Sequence, residues 1–139
     1  MKKKSKTFVY NLPKNKNNHD NLRLLRVIIH SEYLKVDFGY YATSYYIKGG
    51  WVRIAQDSFV RDKSNNKIYK LLRAENIPIA PTVHSFNSSN EWMFFSLIFE
   101  PISLSIKAFD LIEVEPGEPT DFNFYNILLN PKNAIELLG

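Results

Sequence analysis

Leu34-Lys35-Val36-Asp37-Phe38-Gly39-Tyr40 alternates apolar and non-apolar residues through seven positions. An extended chain then carries Leu34, Val36, Phe38 and Tyr40 on one face and Lys35, Asp37 and Gly39 on the other. A helix would scatter the same apolar set around its axis, so a strand with one buried face is predicted. On the N-terminal side, Leu22 to His30 (LRLLRVIIH) has leucines at helical spacing, but Val27, Ile28 and Ile29 are stiff at χ1 and favour a second strand.

On the other side, Gly49-Gly50 marks a turn, and Trp51 to Ala55 and Ser58 to Arg61 restart extended structure. Asp62-Lys63-Ser64-Asn65-Asn66-Lys67 has the chemistry of a hairpin loop, so Phe59-Val60 and Tyr69 to Leu71 are predicted to pair. Pro78 and Pro81 exclude a central strand between them and suggest an edge or an extended crossover. Ser85 to Asn90 (SFNSSN) and Pro116 to Pro119 (PGEP) read as turns, with His84 at the first of them. Trp92 to Phe99 (WMFFSLIF) reads as a strand buried on both faces, or one whose outer face a neighbouring segment covers. Ala108 to Val114 and Asp121 to Leu128 supply two more strands. Asn130 as a cap with Pro131 at the first helical position predicts a short C-terminal helix through Leu138.

About seven or eight short strands with almost no helical periodicity predict an all-β fold, an antiparallel sandwich in preference to a small barrel. The apolar sides of Leu34 to Tyr40 and Trp92 to Phe99 are expected to clamp its two facing layers together. A chain of 139 residues, 45% hydrophobic and 14% aromatic, fits one such domain. It holds no cysteine, which excludes a disulfide framework, a thiol nucleophile and thiolate metal sites. With a mean hydropathy of -0.27 and no apolar run of about 18 residues, no membrane-spanning segment is read.

The net charge is +4, from 18 basic and 14 acidic residues. Lys2, Lys3, Lys4, Lys6, Lys14 and Lys16 precede the first acid, Asp20, so 12 basic and 14 acidic groups remain and the rest of the chain carries -2. Residues 1–21 are therefore read as a flexible lysine-rich segment and residues 22–139 as the single domain, with KNKNNHDN at Lys14 to Asn21 as the linker. The segment Thr7 to Pro13 is too short and polar to follow the lysines as the core of a leader. No signal peptide is read, and the default compartment is the cytoplasm, with an extracytoplasmic one expected only where a leader has been removed.

The runs WVRIAQDSFVRD at Trp51 to Asp62, KIYKLL at Lys67 to Leu72, NIPI at Asn76 to Ile79, FSLIFEPI at Phe95 to Ile102 and FDLIE at Phe109 to Glu113 occur in a familiar order. From about Leu22 to Leu129 the chain resembles an immunoglobulin-like β-sandwich module of Bacteroidetes-type bacterial proteins. The resemblance implies an immunoglobulin-like sandwich and no catalytic residue. The chain departs from the pattern in its lysine-rich start and in having nothing after the sandwich, where such modules follow a leader and precede a larger domain.

His19, His30 and His84 are scattered without a ligand spacing, and no metal or other cofactor is predicted. Asp110, Glu113, Glu115, Glu118 and Asp121 concentrate acid between Lys107 and Lys132; a solvated sheet edge explains them better than a calcium loop, whose ligand order is missing. Glu100 and Glu113 are a carboxylate pair on paper only, and no nucleophile or phosphate-loop motif is present, so the chain is read as non-enzymatic with no small-molecule substrate. Tyrosines gathered on loops give large contact area and a hydroxyl at low conformational cost. Tyr41, Tyr45, Tyr46, Trp51 and Trp92 are thus the candidate interaction surface, on the loops Tyr41 to Gly50 and Asn87 to Trp92, for a protein partner or a larger assembly. Two alternatives use the same residue types. Lys2, Lys3, Lys4 and Lys6 form a candidate electrostatic arm for nucleic acid, with aromatics stacking on bases, and Tyr41, Tyr45, Trp51 or Trp92 suit carbohydrate.

Overall fold

The computed structural model describes residues 6–12, 22–41, 51–52, 54–77, 79, 84–85, 92–115, 122–130, 132 and 134–138. These residues form β1 (Lys6–Asn11), β2 (Leu22–His30), β3 (Tyr33–Tyr41), β4 (Trp51–Val52), β5 (Phe59–Asp62), β6 (Ile68–Glu75), β7 (His84–Ser85), β8 (Trp92–Phe99), β9 (Ala108–Ile112), β10 (Phe124–Leu128) and β11 (Ala134–Leu138). The fold is all-β and antiparallel, and no α-helix occurs among the described residues. Nine strands make one sheet in the order β10-β9-β5-β6-β8-β3-β2-β1-β11, and β4 and β7 make a separate ribbon.

The alternation in β3 sets the inside of this sheet. Leu34, Val36 and Phe38 are buried, and their neighbours in β8 across the ladder, Phe99, Leu97 and Phe95, are buried with them. The sheet curls into a half-barrel that brings its far edge back over this row. Phe124 of β10 lies 5.6 Å from Phe38 between ring centroids, and Phe122 lies 5.8 Å from Tyr40 and 6.1 Å from Phe95. One continuous core results, in which Phe38, Phe99, Phe109 and Phe124 are fully buried.

The bend has an identifiable device in β6. Its first residues pair with β5, Phe59 opposite Lys70 and Val60 opposite Tyr69, while Leu71 to Glu75 pair with β8. Near the start of the part paired with β8 the register slips at Leu72, which faces solvent. A bulge of this kind raises the local twist and lets a strand turn from one layer towards another. β2 is bulged at Leu25 in the same way.

The hairpin expected at Asp62 to Lys67 is present. The Asp62 carboxylate accepts the Ser64 N–H and hydroxyl, both at 2.8 Å, and Asn66 takes the left-handed conformation with φ 60°. Other expectations are corrected. Leu34 to Tyr40 and Trp92 to Phe99 do not face each other from two layers; they are adjacent strands, and their common apolar side meets β10. Residues 134–138 form a strand where a helix was predicted. The Asn130 side chain does accept the Lys132 N–H at 3.0 Å, as a cap would, but the chain then extends to pair with β1. β1 itself lies within the segment expected to be flexible: Val9 and Tyr10 are buried, and the strand sits between β2 and β11. His84, assigned to a turn, stands in β7 opposite Val52.

Candidate functional site

Tyr41 ends β3 and stands directly opposite Trp92, the first residue of β8. Trp51 stands opposite Ser85 in the β4–β7 ribbon. Residues 42–50 join β3 to β4, and residues 86–91 join β7 to β8, so both connections leave from the Tyr41–Trp92 pair and reach the same ribbon. Tyr41 and Trp92 thus share one end of the β3–β8 ladder, and Trp51 belongs to the separate β4–β7 ribbon. Tyr45 and Tyr46 fall within 42–50, outside the described residues, as do Lys2, Lys3 and Lys4. Lys6 is the first residue of β1, opposite Leu138.

Next to this end, the outer face of the sheet carries an apolar patch. Gly39 stands opposite Phe94 in β8. The Phe94 ring and the Leu25 side chain lie over Gly39: an atom at its Cβ position would touch them at ordinary contact distance, 3.4 Å from Phe94 and 3.5 Å from Leu25. Phe94 is 62% exposed and Leu25 36%. Two-sided burial of the Trp92 to Phe99 run is therefore corrected at Phe94, although Ile98, on the same face, is buried.

A polar rung borders the patch. Arg26, Asp37, Ser96 and Glu75 occupy successive strands at one level of the sheet. Arg26 Nε donates to Asp37 Oδ2 at 2.7 Å, and the Ser96 hydroxyl donates to Asp37 Oδ1 at 2.6 Å. Lys35 reaches Asp37 at 3.9 Å and Glu75 at 3.8 Å. With the Asp37 carboxylate held on both oxygens, this rung fixes β2, β3 and β8 in register and frames the apolar patch with charge on one side.

Of the acidic segment expected at a solvated edge, Asp110 is buried and Glu113 half-buried, Glu115 is exposed, and Glu118 and Asp121 lie outside the described residues. The Asp110 side chain is 1% exposed and accepts from Asn126 N at 2.9 Å, Arg61 Nη2 at 3.1 Å and Lys63 Nζ at 3.3 Å. Burial pushes its carboxyl up, but these three donors outweigh burial and leave it below the ordinary carboxylate range. Arg61 is raised, first by its hydrogen bond to Glu115 and then by Asp110. Glu113 accepts from Ala55 N at 2.8 Å and Phe122 N at 2.9 Å, tying two loops to the end of β9. Both carboxylates thus act as internal acceptors that hold β5, β9 and β10 together. Among the described residues no three His, Asp or Glu side chains converge as a cation set, and no helix is long and apolar enough to cross a membrane.

No family model matches the sequence, and neither a curated protein nor a solved structure matches it. Phe94, Leu25 and Gly39 were not singled out by the sequence reading. Ser96 is the signal that points to them: a lone polar residue in WMFFSLIF marks the outer parity, which Phe94 shares.

Proposed function

We propose that the protein is a non-catalytic interaction module that binds a protein partner on the outer face of β2, β3 and β8, at the end where Tyr41 meets Trp92. The exposure of Phe94 over Gly39 carries this reading. A large ring held on a rigid sheet loses little conformational freedom on binding, and aromatic anchors beside a charged rim are the usual composition of a protein-binding surface. The Arg26–Asp37–Ser96 rung supplies such a rim. The immunoglobulin-like sandwich is the finer architecture we propose, supported by the facing of β3 and β10 through Phe38 and Phe124, with β6 as the strand common to both halves.

The test is binding by full-length chains carrying Phe94→Ser, or Tyr45→Ser with Tyr46→Ser, against partners recovered with the unaltered chain. Truncating a central anchor costs about 2 kcal/mol or more, so Phe94→Ser should weaken binding by about 30-fold with the fold intact. Leu104→Ser, at an exposed loop position, should change nothing. Unchanged binding by every variant refutes the proposal. Nucleic acid held by the lysine arm is the competing reading. It is tested by Lys2, Lys3 and Lys4→Gln, because removing residues 1–21 would also remove β1; salt-sensitive RNA or DNA binding lost in that variant would favour the arm over the sheet face.

A further inference from the structure

The two edges of the nine-stranded sheet are not alike. β10 is guarded: its register with β9 breaks between Phe124 and Ile127, Asn126 takes a left-handed φ of 55°, and the Asn126 N–H is turned inward to Asp110. Bulges of this kind are a common protection against edge-to-edge pairing. β11 has no such device. It pairs with β1 through five consecutive residues without a slip, and Ala-Ile-Glu-Leu-Leu holds no proline, glycine or lysine. Among the described residues its only sheet neighbour is β1. No backbone group among the described residues pairs with its outer side.

We infer that β11 is a self-association edge, pairing antiparallel with β11 of a second copy about a two-fold axis at Ile135. Charge favours this register over one centred on Glu136. Residues opposite one another in a sheet must share a face, so the axis passes through a residue and not between two. An axis at Glu136 sets two carboxylates directly opposite, which is unfavourable. An axis at Ile135 sets Glu136 opposite Ala134 and Ile135 opposite its own copy. Ile135 is 49% exposed, and its neighbours across the ladder are Val9 and then Ile28. The paired edge would continue this apolar row from one copy into the other as Ile28, Val9, Ile135, Ile135, Val9, Ile28. A second copy is the occupant that fits, because a two-fold antiparallel pair makes the same short apolar edge complementary to itself. This inference is independent of the Phe94 surface.

The experiment is sedimentation of the full chain from micromolar to millimolar concentration. A concentration-dependent dimer is expected, and Ile135→Lys, which sets two ammonium groups on the axis, should leave a monomer with unchanged strand circular dichroism. The chain has no cysteine, so Ile135→Cys gives a second readout that does not depend on the lysine variant folding: mild oxidation should yield a disulfide-linked dimer, and Tyr125→Cys on β10 should not. A monomer at every concentration, a dimer indifferent to Ile135→Lys, or equal cross-linking at Tyr125 overturns the inference.

Discussion

Asp110 offers the sharpest perturbation. Its carboxylate is out of contact with water and accepts from a backbone N–H and from two cations, on β5 and on the hairpin that follows it. Asp110→Asn keeps an acceptor for the Asn126 N–H but sets an amide NH2 against Arg61 and Lys63. Hydrogen bonds to charged groups contribute about 1.5–3 kcal/mol each when buried. Both cations keep an outlet, Arg61 on Glu115 and Lys63 in solvent, so the loss should be about 2–3 kcal/mol. Asp110→Ala also orphans the Asn126 N–H and should cost about 3–5 kcal/mol, the range for breaking a buried pair. Urea unfolding at neutral pH reads both values. The pH dependence gives a second check. A carboxyl held below its ordinary value of 3.8 stabilises the fold fully above that value and loses the contribution as the pH falls through the folded-state value. The gap between the unaltered chain and Asp110→Asn should therefore be constant at neutral pH and close in strong acid. Equal stabilities at neutral pH, or a gap that widens in acid, would refute burial of an ionised carboxylate at this position.

Other perturbations test the core and the backbone. Phe124→Ala empties the contact between β10 and β3 and should cost about 3–5 kcal/mol in urea unfolding. Gly39→Ala meets Phe94 and Leu25 at ordinary contact distance and removes chain entropy from the unfolded state, so thermal melting should find it within about 1 kcal/mol of the unaltered chain. Asn66→Val forces a β-branched residue to a φ of 60° and should lower stability by about 1–2 kcal/mol, whereas Asn66→Gly should be nearly neutral.

The parts of the fold legible in the sequence are those set by neighbours a few residues away. The alternation at Leu34 to Tyr40, the β-branched run at Val27 to Ile29 and the turn chemistry of Asp62 to Lys67 each specify local conformation, and each is found in place. Features that depend on distant partners were read wrongly. Phe8-Val9-Tyr10 is too short an apolar run to announce a strand beside lysines, and its burial rests on β2 and on β11 from the far side of the sequence. Asn130-Pro131 carries a helix-start signal that pairing with β1 overrides. Asp110 and Glu113 look like a solvated acidic stretch until β5 brings up Arg61 and the loops bring the Ala55 and Phe122 N–H groups. At the candidate surface, Tyr41 and Trp92 are expected on loops but stand in β3 and β8, while Phe94 is hidden by the assumption that an apolar strand is covered on both sides.

Every distinction between inner and outer face rests on the curl that returns β10 over β3. The most direct measurement of it is a nuclear Overhauser spectrum of the chain labelled on its ten phenylalanines. Ring contacts between Phe38 and Phe124 and between Phe95 and Phe122 should appear alongside the Phe38–Phe95 contact of adjacent strands. Observation of the Phe38–Phe95 contact alone would mean an open sheet, with β10 far from β3 and no separate outer surface for Phe94 to occupy.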